Sequence, residues 1–270
     1  MTTSRSNDEA AVAATPRADD DDERWAMPPA NGMPRLTYFN ARGRAEVIRI
    51  MCAESGFEYE DYRFRPNMEN ECRAPEVHSA RPGVQCLCQT HGPGNDEFVR
   101  FRAAGKSITG QVPLMEVDGL NLVQTSAICR YLAQKLKLAG ETPAESAYAD
   151  VVAATLDDLY IYMVQSMVNR RVDANFYVDQ WPKVGATLEK MAGTYAAAPG
   201  FFVGAKLTWV DFYGFHMFTR LEEGWPGALD DYPALKAIAT NVANRPRVRA
   251  WLETRVQREK ELGNYIDWLL

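Results

Sequence analysis

What this chain lacks narrows it first. No uninterrupted apolar run in its 270 residues approaches the roughly 18–20 needed to span a bilayer, which argues against a membrane protein. Nor is there an export signal. The small-residue run Ala10 to Ala14 is flanked by Asp8 and Glu9, without a basic flank or a true apolar core, and the acidic run after it argues against a mitochondrial presequence. Cysteine is scarce: five residues, an odd number, in no spacing that suggests a disulfide framework. With no export signal, this predicts reduced thiols and a cytoplasmic location. A basic excess is missing too. The net charge is −6, and residues 1–34 hold seven acids against three Arg while the remainder holds 29 acids against 27 bases. A near-neutral folded part gives nucleic acid nothing to hold.

What is present is ordinary globular composition. At 46% hydrophobic and 24% charged, the chain can build a sizeable core and is too apolar to be wholly disordered. Its length suggests one or two domains. Residues 1–34 are rich in Ala, Asp and Pro with no apolar period, and are expected to form a disordered acidic tail whose run Asp19 to Glu23 is simply solvated. Order begins with a strand at Arg35 to Phe39, then a turn over Asn40 to Gly43. A helix follows, marked by Ala45, Ile48, Arg49, Cys52 and Ala53 and ended by Gly56. Phe57 to Arg63 alternates as a second strand.

Residues 66–97 break the pattern with four Pro and three Gly, and read as an irregular insertion. Cys72, His78, Cys86, Cys88 and His91 lie there, but their spacing matches no standard zinc signature, so no metal is expected. Order resumes near Phe98. Gln111 to Val117 and Leu120 to Val123 flank the tight turn Asp118-Gly119 as a hairpin, and Ala127, Ile128, Tyr131, Leu132 and Leu136 share one face of a helix. Leu138 to Pro143 leads into an all-helical half of about five helices. Val151, Val152, Leu156, Leu159, Tyr160 and Met163 form its first apolar stripe, and Thr208 with Asp211 makes a Thr-x-x-Asp capping box.

Five segments then carry a family likeness: Leu36 to Glu46 (LTYFNARGRAE), Gln111 to Gly119 (QVPLMEVDG), Leu122 to Ile128 (LVQTSAI), Thr155 to Asp158 (TLDD) and Leu207 to Tyr213 (LTWVDFY). In this order they resemble the cytosolic glutathione transferases over roughly residues 35–260, apart from the insertion. The likeness is greatest to the sigma class, which includes the hematopoietic prostaglandin D synthases, with alpha- and mu-like features. The resemblance implies an α+β chain. A thioredoxin-like glutathione-binding domain would occupy 35–137, interrupted by the insertion, and an all-α bundle would occupy 144–270. It implies reduced glutathione as co-substrate, a hydrophobic electrophile, a homodimer, and a role in detoxification.

Taken alone, Tyr38 is a half-buried strand tyrosine and Arg44 a surface arginine at a helix start. The resemblance makes Tyr38 the catalytic tyrosine, donating a hydrogen bond to the glutathione sulfur, with Arg44 supporting activation. A hydrogen bond to a charged group is worth about 1.5–3 kcal/mol. That lowers a thiol pKa by roughly one to two units from about 8.5. By the same likeness Val112-Pro113, next to the glutathione-binding Gln111, is a cis peptide whose turn exposes the Val112 N–H and C=O to pair with the cysteinyl unit. Gln124 and Thr125 bind the γ-glutamyl carboxylate at a helix start. Asp158 reaches the γ-glutamyl amine in the neighbouring subunit. Phe98 and Arg102 stand where the family has a Trp and a Lys that hold the glycyl end. Phe39, Ala41, Arg42, Gly43, Tyr160 and Met163 line the electrophile pocket.

One departure stands out. Ala154 occupies a position where sigma-class prostaglandin synthases often carry a further Asp, so glutathione-dependent prostaglandin D isomerisation is the alternative activity rather than the first. A non-catalytic crystallin-like or ligand-binding relative is the rival of another class.

Overall fold

The computed structural model describes residues 24–29, 32–64, 96–168 and 176–261. Four strands form one mixed sheet: β1 (Arg35–Phe39), β2 (Glu60–Phe64), β3 (Leu114–Val117) and β4 (Leu120–Val123), in the order β2-β1-β3-β4. β1 runs parallel to β2 with Tyr38 opposite Arg63. It runs antiparallel to β3 with Leu36 opposite Met115, and β3 pairs antiparallel with β4. A parallel neighbour requires a crossover. Helix α1 (Glu46–Ser55) makes it and stops where Gly56 turns left-handed at φ 65°. α2 (Asp96–Ala103) precedes the hairpin and α3 (Thr125–Leu136) follows it.

The helical half comprises α4 (Pro143–Val168), α5 (Trp181–Tyr195), α6 (Trp209–Gly224), α7 (Pro233–Ala243) and α8 (Pro246–Glu261). α6 is apolar almost all round and correspondingly central, with eleven of its residues buried. Its start is fixed by the expected capping box. The Thr208 N–H and hydroxyl both donate to Asp211 Oδ2 (2.6 and 3.0 Å), and the Phe202 N–H donates to Oδ1 at 2.7 Å. Among the described residues no helix is long and apolar enough to cross a membrane.

Two cores result. The larger joins one face of the sheet to α1, α3 and the helical half. The smaller, on the other side, is Trp25, Tyr62, Phe64, Phe98, Phe101 and Leu114. Trp25 corrects one expectation. It falls within the segment expected to be disordered, yet Arg24–Ala26 is a 3-10 turn and Trp25 is 3% exposed. Residues 1–23 lie outside the described residues, as does the insertion apart from Asp96 and Glu97, which open α2. The strand expected from Gln111 starts only at Leu114, after the Val112-Pro113 bond, which is cis.

Candidate active site

Tyr38, next to last in β1, lies on the face turned to the larger core, and the turn behind it wraps the phenol. Its hydroxyl accepts the Arg44 N–H at 3.0 Å, and the Tyr160 hydroxyl lies close by. Burial raises its pKa, against the Arg44 N–H and the Arg49 guanidinium, so at neutral pH the group is a phenol with a proton to donate. Gly43 makes the wrap possible. At φ 39°, a Cβ there would stand 2.5 Å from the Tyr38 oxygen.

Buried charge holds that turn. Arg49, fully buried on α1, donates from Nη1 to the Ala41 carbonyl at 2.7 Å and from Nε to Asp61 at 3.1 Å, with its Cζ 5.9 Å from the Tyr38 ring centre. Glu46 accepts from Arg49 (3.4 Å), Trp251 (3.0 Å) and Arg255 (3.3 Å). Burial opposes ionisation of Glu46, but Arg49 and Arg255 outweigh it and hold its carboxyl at about 2. From α6, His216 Nε2–H donates to the Gly43 carbonyl at 3.0 Å, and burial keeps that ring neutral by lowering its pKa to about 3. Arg42 is clamped by Glu223, with Nη1 2.7 Å from both carboxylate oxygens.

Helix α3 enters beside this turn. Gln124, its N-cap, is held at φ 71°, a backbone strain typical of functional sites, and makes no side-chain cap. The Thr125 hydroxyl donates to the Arg44 carbonyl at 3.1 Å. This revises the expected contact. With that proton committed, what Thr125 offers an anion is the helix-start N–H, unsatisfied at any helix N-terminus.

Asp157 is the residue that sequence reasoning missed. It accepts the Ser126 hydroxyl at 2.8 Å and the Tyr213 hydroxyl at 2.6 Å, and stands 3.7 Å from Arg44 Nη1. It thus ties α3, α4 and α6 to the arginine beside Tyr38. Its clue was available: it lies three residues before Tyr160 on the same helix, and the Arg44 guanidinium covers the Tyr160 ring at 4.2 Å. Asp158, one residue on, is exposed.

Two further placements depart from expectation. Phe98 is 1% exposed within the smaller core, because the helical spacing of α2 puts it on the same face as Phe101. It is therefore withdrawn from the glycyl end. Arg102 is exposed, with its guanidinium 5.8 Å from the Phe98 ring centre and its Nε 3.5 Å from where a Gly110 Cβ would be, just ahead of Gln111, Val112 and Pro113. Of the expected electrophile pocket, Gly43 and Tyr160 stand close to the Tyr38 hydroxyl, and Ala41 and Arg42 belong to the turn that leads from β1 to Gly43. Met163 is buried in the larger core, and the Phe39 ring packs on Phe64 and Phe98.

Among the described residues no group of three or more His, Cys, Asp or Glu could hold a metal ion. Cys72, His78, Cys86, Cys88 and His91, from which no metal site was expected, lie outside the described residues. Cys52 and Cys129 are buried, and burial raises both thiols well above their usual range, which suits packing rather than reactivity.

A family model for the glutathione S-transferase C-terminal domain matches residues 149–255, and one for the N-terminal domain matches residues 89–134. The hematopoietic prostaglandin D synthase of Gallus gallus is 32% identical over 221 residues, covering 82% of this chain and 96% of that protein. Glutathione S-transferase alpha-5 of Rattus norvegicus is 31% identical over 240 residues, covering 84% and 92%. Among solved structures, the Pi-class glutathione S-transferase of Onchocerca volvulus superposes with a TM-score of 0.69 at 23% identity, covering 84% of this chain and 95% of that one, which speaks to fold.

Proposed function

The chain belongs to the glutathione transferase family, and from that premise we propose that it is a sigma-class-like enzyme conjugating reduced glutathione to hydrophobic electrophiles in the cytoplasm. The observation that carries this reading is the Tyr38 hydroxyl. Its oxygen already accepts from the Arg44 N–H, so its own proton is left to point at a ligand. Accepting that hydrogen bond also makes it a stronger donor.

The tripeptide's sulfur takes that proton's hydrogen bond and remains a thiolate, which attacks the electrophile. Arg44 adds fixed positive charge beside it, and the start of α3 adds the positive end of a helix dipole. The γ-glutamyl carboxylate meets the α3 N–H groups at Gln124 and Thr125. The backbone at Gln111, Val112 and Pro113 pairs with the cysteinyl unit, and Arg102 meets the glycyl carboxylate. Ala41, Arg42, Gly43 and Tyr160 surround the electrophile.

An exposed stripe along α4 (Val151, Ala154, Asp158, Ile161 and Tyr162) supports a homodimer in which Asp158 serves the other subunit's γ-glutamyl amine. A second reading, glutathione-dependent prostaglandin D isomerisation, is supported by the likeness to the Gallus gallus synthase and weakened by Ala154.

Tyr38→Phe tests the reading, because it keeps the ring and removes the donor. Conjugation of a chromogenic aryl halide should fall at least about tenfold, since the lost bond is worth over about 1.4 kcal/mol, while retention on immobilised glutathione persists. Unchanged turnover at neutral pH would refute it.

A further inference from the structure

We propose that Trp25, ahead of the first strand, is a positioning residue for the glutathione site and acts through α2. The proposal rests on the function proposed above only in its kinetic part.

Helix α2 needs something to seat it. It has eight residues, fewer than the roughly 12–15 that sustain a helix alone, so its place is set by packing. Residues 65–95 separate it from β2 in sequence, so no short connection fixes one against the other. What holds it is the smaller core. Phe98 and Phe101 face inward from one side of the helix, and Tyr62 donates a hydrogen bond to Glu97.

Trp25 closes that core. Its ring meets Phe101 edge-on at 5.4 Å and 75°. From there a row of rings runs back to the active site: Phe101 to Phe98 at 6.1 Å, Phe98 to Phe39 at 4.9 Å, and Phe39 to Tyr38 at 5.4 Å. Trp25 is thus one end of an aromatic row whose other end is the catalytic phenol.

The segment carrying Trp25 is fastened in place. The Trp25 carbonyl accepts from Arg35 Nη1 at 3.4 Å and from Lys106, which lies just past α2, and the Met27 carbonyl accepts from the same Arg35 nitrogen at 2.7 Å. Alternating charges surround it: Arg24 to Glu60 at 2.6 Å, Glu60 to Arg35 at 2.8 Å, Arg35 to Glu116 at 3.7 Å, and Glu116 to Lys106 at 2.8 Å. The indole N–H itself is buried and has no acceptor among the described residues, so the ring is held by shape.

Loss of the ring therefore uncovers Phe101 and loosens α2. Arg102 then loses its fixed place beside Gly110, ahead of the cis-proline turn. Tyr38, held from behind by Arg44, Gly43 and Arg49, keeps its own support. Binding suffers and chemistry does not.

Full-length Trp25→Ala and Trp25→Phe are the variants, read by hydrogen exchange and by steady-state kinetics with glutathione and an aryl halide. In Trp25→Ala, amides of residues 96–103 should exchange at least tenfold faster while those of α6 are unchanged. KM for glutathione should rise at least threefold with kcat within twofold. Trp25→Phe should recover most of both effects, because the indole N–H is not used. Unchanged exchange in α2 would overturn the proposal. So would faster exchange throughout the chain, which would reduce Trp25 to general stability, or a fall in kcat with KM unmoved. A wild-type chain that turns over no glutathione would defeat the enzymatic reading, and the exchange rates would still decide the part played by Trp25.

Discussion

Arg44 and Asp157 face each other across the two halves of the chain, Nη1 to Oδ1 at 3.7 Å, with each side chain about a third exposed. An ion pair so exposed is worth only about 0.2–1 kcal/mol. The two hydroxyls that Asp157 accepts weigh more, because Tyr213 is 2% exposed and water has little access to its hydroxyl.

Asp157→Ala should accordingly cost stability more than activity. Leaving a buried hydroxyl without its acceptor costs about 1–3 kcal/mol, whereas the weakened hold on Arg44 should lower kcat/KM by no more than about fivefold. Denaturant unfolding and aryl halide turnover measured on one preparation separate the two effects.

Asp158→Ala should behave differently. If the exposed carboxylate serves the neighbouring subunit, KM for glutathione rises with little change in limiting rate and no loss of stability. Sedimentation showing an active monomer would remove the basis for this expectation.

Gly43→Ala should disable the site while leaving the fold. Its φ of 39° costs an L-residue about 1–2 kcal/mol, and the added carbon must displace the Tyr38 oxygen 2.5 Å away. We expect kcat/KM to drop at least about tenfold with circular dichroism unchanged.

Acid should destabilise the fold earlier than carboxylates alone would dictate. His216 is held at about 3 against an ordinary 6.5, and Glu46 at about 2 against 4.5. Both folded values are depressed, so the unfolded chain binds the extra protons and stability falls as pH falls. His216 contributes from about 6.5 down to about 3, and Glu46 from about 4.5 down to about 2. The slope is about 1.4 kcal/mol per pH unit for each proton in its window. Urea midpoints between pH 6.5 and 4.5 should flatten in His216→Gln.

The secondary structure was legible wherever periodicity was strong. The helix marked by Ile48 and Cys52 and ended by Gly56, the Asp118-Gly119 hairpin and the Thr208 capping box all stand where the residues put them. Phe98 was misjudged because alignment to a family Trp outweighed its spacing from Phe101, which alone says that both rings face inward. Trp25 was hidden by composition. A single large ring after an acidic run leaves no period to detect, and the partners that bury it, Phe101 and Lys106, lie over seventy residues away.

The site was legible in its residue types and much less so in its supports. Tyr38, Arg44 and Pro113 were identifiable from short motifs. Arg49 stood on the apolar side of α1, where an arginine calls for an explanation, but its acceptor, the Ala41 carbonyl, is backbone and leaves no trace in sequence. Asp157 was passed over for its neighbour because a pair of acids does not itself say which one turns inward.

The ties that shape the turn behind Tyr38 span great lengths of chain: 173 residues from Gly43 to His216, 181 from Arg42 to Glu223, and 209 from Glu46 to Arg255. During synthesis the tyrosine leaves the ribosome long before the side chains that frame it. At about 5–20 residues per second, the delay is roughly ten to forty seconds. A nascent chain holding only the sheet domain thus carries Tyr38 without its mould, and the turn takes its final shape only with the last helix.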